Sequence, residues 1–137
     1  MDFSYLITPF IAWLVAGSTK FLINSLKQRS FAFGLVGYGG LPSNHTSIVT
    51  AMPALIYFKN GFDNPAFGVA ITIAFIVMLD ASSLRRQVGH HAASINKIYE
   101  NDPSHKELRE RMGHTPIEIL SGVVVGFGVA FIVFKLV

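Results

Sequence analysis

Apolar residues gather in this chain into four long runs, Phe3–Leu26, Ser43–Phe58, Pro65–Leu84 and Pro116–Leu136. Polar connections divide them at Lys27–Gly40, Lys59–Asn64 and Arg85–Thr115. A bilayer core requires roughly 20 apolar residues in a helix, so the pattern predicts an all-α polytopic membrane bundle of about four transmembrane helices. The second run is short and contains Pro53, which makes it the least secure span. After Leu84 the helical pattern runs on to Tyr99 with only Gly89 interrupting it, predicting a helical extension beyond the membrane. Asn101-Asp102-Pro103-Ser104 is a stop followed by a new start, and His105–Arg111 is expected to form a short charged helix closed by Gly113. Thr115-Pro116-Ile117-Glu118 has the form of a capping box, with proline at the first helical position.

Composition agrees with the pattern. Of 137 residues, 51% are hydrophobic and 14% charged, outside the range of ordinary soluble domains. One domain, residues 1–137, is expected, with no internal repeat or linker. The first run has Asp2 where a signal peptide carries basic residues and continues past Lys20, so it reads as a retained transmembrane helix. The absence of cysteine excludes disulfides, thiolate metal sites and a cysteine nucleophile.

Charge orients the bundle. Nine of the eleven Lys and Arg residues fall at the first and third connections, and only Lys59 and Lys135 lie on the other side. The positive-inside rule then places the first and third connections in the cytoplasm, with both termini outside. This asymmetry accounts for the calculated pI of 9.4 without nucleic acid as a partner.

Two histidines occupy equivalent places. His45, in Pro42-Ser43-Asn44-His45, and His114, in Gly113-His114-Thr115-Pro116, each stand at the start of an apolar helix on the same predicted side. A helix N-terminus carries unpaired N–H groups and the positive end of the dipole, a setting for an anion such as phosphate. His90, His91 and His105 lack such flanks, and the histidines and acids show no metal-ligand spacing, so no metal or cofactor is expected. Glu118 reads equally as a capping partner and as something more, and Ser43 as an N-cap. Asp80, an acid near membrane depth, is either functional or paired with Lys20, Arg85 or Arg86. Arg85 and Arg86 are either interface anchors or ligands for an anion.

Gly39-Gly40-Leu41-Pro42-Ser43-Asn44-His45, Asp80-Ala81…Arg85-Arg86 and Gly113-His114-Thr115-Pro116-Ile117-Glu118 together resemble the short, divergent membrane branch of the type-2 phosphatidic acid phosphatase and vanadium haloperoxidase superfamily. The resemblance covers Lys20 to Glu118. It implies a metal-independent lipid-phosphate phosphatase in which His114 attacks phosphorus, His45 protonates the leaving oxygen and Glu118 orients His114. It implies phosphate contacts from Lys20, Arg29, Arg109, Ser43 and Asn44, with Lys27, Asp80, Arg85 and Arg86 in support. The chain departs from the common pattern in having Glu118 for an aspartate and Asn44 for a glycine. The expected partners are a lipid phosphate substrate, membrane lipids and a second copy of the chain. The alternative is a non-catalytic protein that binds lipid phosphates or organises the membrane.

Overall fold

A computed structural model describes residues 2–29 and 40–137. Most of the Lys27–Gly40 connection, and with it Gly39 of the histidine motif, lies outside the described residues. The described residues are helical with no strand: α1 Ser4–Gln28, α2 Asn44–Asn60, α3 Pro65–Ser82, α4 Leu84–Ile98 and α5 Pro116–Leu136. Among the described residues three helical stretches are long and apolar enough to cross a membrane, Ser4–Gln28, Pro65–Ile98 and Pro116–Leu136.

The 17-residue α2 is the centre of the bundle. It packs against α1, α3 and most extensively α5. Ala51, Pro53, Ala54, Leu55 and Ile56 are buried, so protein rather than lipid surrounds most of it. Its modest hydrophobicity follows from that enclosure, since a helix shielded by three neighbours need not be apolar on every face. Close approach to α5 depends on two glycines. A Cβ at Gly122 would stand 2.7 Å from the Ser43 carbonyl oxygen, and one at Gly126 would stand 2.5 Å from that of Ser47. Neither methyl fits. Gly128 points elsewhere, with nothing near its missing Cβ among the described residues.

α3 is the peripheral helix, burying only Ala74 and Ala81. The helix beyond Leu84 forms as expected, but the interruption falls at Ser83 rather than Gly89. The Ser82 and Ser83 hydroxyls both donate to the Leu79 carbonyl, at 3.1 and 2.6 Å, and Ser83 itself departs from helical geometry. Back-bonding of this kind bends helices. Gly89 is helical and buried, and a Cβ there would meet the Glu110 carbonyl oxygen at 2.3 Å.

The expected helix over His105–Arg111 does not form. Residues 101–115 run as turns and irregular chain laid back along α4. Asn96 is the cause: its amide donates to the Leu108 carbonyl at 2.8 Å and to Glu110 Oε1 at 2.9 Å, and its oxygen accepts from the Leu108 N–H at 2.8 Å. A backbone whose groups are taken by a side chain on another helix gains little from closing its own turns.

Candidate active site

Two capped helix N-termini meet at the basic end of the bundle. Ser43 caps α2, its hydroxyl oxygen accepting from the Thr46 N–H at 3.3 Å and the Thr46 hydroxyl at 2.9 Å. Its own N–H donates to the Glu118 carbonyl at 3.0 Å, tying the start of α2 to the first turn of α5. Thr115 caps α5 in the reciprocal box the sequence predicts, with Glu118 Oε2 accepting from the Thr115 N–H at 2.9 Å. The histidines beside these caps have ring centroids 6.4 Å apart and planes inclined by 53°.

His114 is the enclosed member of the pair, 8% exposed. Its backbone N–H donates to the Ala81 carbonyl at 2.9 Å, pinning the turn to the end of α3. Gly113 makes that contact attainable. Its φ of 82° is one that side-chain-bearing residues rarely adopt, and a Cβ there would strike Arg86 at 2.5 Å. The imidazole Nδ1 lies 3.1 Å from Glu118 Oε2. A carboxylate accepts only, so Nδ1 carries the proton and Nε2 keeps its lone pair. The Glu118 oxygen that accepts from the Thr115 N–H is thus the same one that contacts His114. Burial lowers the His114 pKa below the ordinary 6.5, the positive charges of Lys20 and Arg85 add to that, and Glu118 opposes it. The ring is neutral at pH 7.

His45 is exposed beside it. The charges of Arg85, Lys20, His114 and Asp80 all act on it, which gathers these groups around one region. Lys20 is 9% exposed on α1 and lies within electrostatic reach of Glu118 and Arg109. Asp80 pairs with Arg85, Nε to Oδ2 2.7 Å, across the Ser83 break and beside His45. Of the three partners expected for Asp80, the structure selects Arg85, and the pair is partly exposed rather than buried.

The remaining candidates are less central. Ser43 is fully buried and occupied as a cap, so its contribution to geometry is positional. Asn44 lies against Gly17 of α1, and its Oδ1 is buried without a hydrogen-bond partner among the described residues. Arg109 is exposed and its Nε donates to the Arg111 carbonyl at 3.3 Å. Lys27 and Arg29 are exposed at the end of α1, and Arg86 is exposed on α4. His105 stacks on Tyr99 and bonds to Asn96 at 3.1 Å, away from the pair. Among the described residues no three His, Asp or Glu side chains gather as a ligand set for a metal.

Asn96 is the residue sequence reasoning passed over. It holds the segment that carries Arg109 and leads into His114, and its signal was an asparagine inside a helix, where its propensity is poor unless the side chain has other work. The Ala81 carbonyl that receives His114 has no sequence signal at all.

The model of the family described as "Divergent PAP2 family" matches residues 1–129. The chain is 31% identical over 138 residues to "Uncharacterized membrane protein YuiD" of Bacillus subtilis (strain 168), covering 88% of this chain and 87% of that one. No solved structure matches the chain.

Proposed function

We propose that this chain, which belongs to the divergent PAP2 family, is a membrane-embedded phosphatase that hydrolyses lipid phosphate monoesters through a phosphohistidine at the cytoplasmic face. The observation that carries the reading is the His114–Glu118 contact at 3.1 Å with the second imidazole 6.4 Å away. In this reading the oriented neutral ring of His114 is the nucleophile, and His45, close beside it, is the proton donor.

In the first step Nε2 of His114 forms a bond to phosphorus as the lipid–oxygen bond to phosphorus breaks. His45, protonated, delivers its proton to the departing oxygen, which leaves as the lipid alcohol. Glu118 stabilises the positive charge that develops on His114. Lys20 and the N-terminal N–H groups of α2 and α5 offset the charge on the phosphoryl oxygens, with Arg85, Arg109 and Arg29 as further cations and Asn44 and Ser43 shaping the first turn of α2. In the second step His45, now neutral, takes a proton from water, whose oxygen bonds to phosphorus as the bond to Nε2 breaks. Inorganic phosphate leaves and both histidines return to their starting forms.

The cytoplasmic placement rests on the Lys/Arg asymmetry of the connections. The test is phosphate release by purified protein from a panel of lipid phosphates in the presence of chelator, against His114→Ala. Release by wild type with chelator, and none by His114→Ala, is the expected result. Equal release by both proteins, or activity that returns only with a divalent ion, overturns it.

A further inference from the structure

Beside His45 a groove of about 370 Å³ opens between α2 and α3. Its polar end is His45 with the Asp80–Arg85 pair, and its walls are Ile48 and Val49 of α2 and Ile76 and Val77 of α3. The two helices run in opposite directions. Passing from His45 to Val49 ascends one turn of α2, and passing from Asp80 back to Ile76 ascends one turn of α3, so both walls change from polar to aliphatic at one depth. Such a groove fits a molecule with a charged head at the site and a chain parallel to the helices. Ile76, 58% exposed, borders its open side, and α3 buries only Ala74 and Ala81, so the groove faces the surroundings of the bundle rather than its core.

Resting on the phosphatase reading of His45, we infer that this groove seats the head-proximal segment of a single-chain lipid phosphate in preference to a diacyl one. Size favours one chain: a cavity of roughly 150 Å³ takes one benzene ring, so this volume suits on the order of a dozen carbons. All four wall residues are β-branched. Their stiff χ1 angles oppose the widening that a second chain requires. The head carries negative charge, and Arg85, held beside His45 by Asp80 at 2.7 Å, meets it at the mouth. Asp80 in turn keeps that guanidinium from turning out along the membrane surface.

Native mass spectrometry of the full chain in detergent, with dodecyl phosphate and dipalmitoyl phosphatidate as probes, tests the assignment. Wild type should hold one dodecyl phosphate and bind the diacyl probe at least about tenfold more weakly. Val77→Phe and Val49→Phe fill the groove from opposite walls, and each should weaken dodecyl phosphate by about tenfold or more. Val124→Phe, on the exposed face of α5, is the control and should bind as wild type does. Unchanged binding by both groove variants, with helical content retained, overturns the inference, as does equal affinity for the two probes. The phosphatase reading fails separately. If wild type binds dodecyl phosphate in the groove yet releases no phosphate from any lipid, the groove stands and hydrolysis falls. If it hydrolyses dodecyl phosphate and neither groove variant changes KM, the groove falls and hydrolysis stands.

Discussion

The two ends of the bundle use similar residues for opposite purposes. At the end formed by Asn60 and Pro65, Lys59 pairs with Asp2 at 2.7 Å and donates to the Ser4 hydroxyl at 2.8 Å, while the Tyr5 hydroxyl donates to Asn60. Phe58 packs against Phe127, Phe131 and Phe134, and Lys135 lies 5.6 Å from the centroids of the last two rings. The polar groups named here close on one another. At the other end the helix caps are equally well satisfied, but Lys20 is buried without an ion pair among the described residues and two imidazoles stand with centroids 6.4 Å apart. A cation left in that state is expensive near a membrane, and an anion is what would relieve it. On the proposed function this difference separates a structural end from a working one: the polar groups named at the first close on one another, and an anion would complete the second.

The comparison breaks most decisively at His114. His114→Ala should lower phosphate release by roughly 10⁴-fold or more, with the melting temperature changed little, because the nucleophile has no substitute. Gly126→Leu attacks what both ends share. With the Ser47 carbonyl 2.5 Å from a mere Cβ, α2 and α5 must separate, and a loss of about 3 kcal/mol or more should appear as reduced thermal stability in detergent, with activity lost in parallel. Glu118→Gln should cost about 10²-fold in kcat, since the amide lacks the charge that stabilises the imidazolium developing on His114 and can offer a donor where Nδ1 needs an acceptor.

The pH profile sharpens the same point. Neutral His114 is the attacking form, and its pKa lies below 6.5, so the acidic limb of kcat/KM, where that ring protonates, should fall below 6.5, while the basic limb belongs to loss of the proton from His45. Glu118 raises that pKa, so Glu118→Gln should carry the acidic limb further down. An acidic limb above 6.5 contradicts the burial account. The smallest effect belongs to the closed end. Asp2→Asn should lower the melting temperature slightly and leave turnover as it was, because its carboxylate is exposed and lies at the opposite end of the bundle from the histidines. A comparable loss of turnover in that variant would mean the ends are coupled.

Much of this was legible beforehand. The helices followed from apolar runs, and the α5 boundary from Thr115-Pro116-Ile117-Glu118, because caps are local chemistry. The centrality of α2 was hidden: low hydrophobicity and Pro53 made it look marginal, when enclosure by three helices is what permits both. The close approach of α2 to α5 at Gly122 and Gly126 was equally hidden, since glycines in an apolar run do not say which helix they admit. The 101–115 segment was misjudged because one side chain, Asn96, outbids local helix propensity from a distance of about a dozen residues. The two histidines and Glu118 were visible through their flanks. That Arg85, rather than Lys20 or Arg86, takes Asp80 depends on the Ser83 break, which no periodicity announces.

The central claim is that the open end makes a covalent bond to phosphorus. Rapid quenching of the purified protein with a phosphorus-labelled lipid phosphate tests it directly. Wild type should retain label that is stable in base and released in acid, as a phosphohistidine requires, and His114→Ala should retain none. Label of the same stability on His114→Ala, or turnover by wild type with no label trapped on either wild type or His45→Ala, would contradict it.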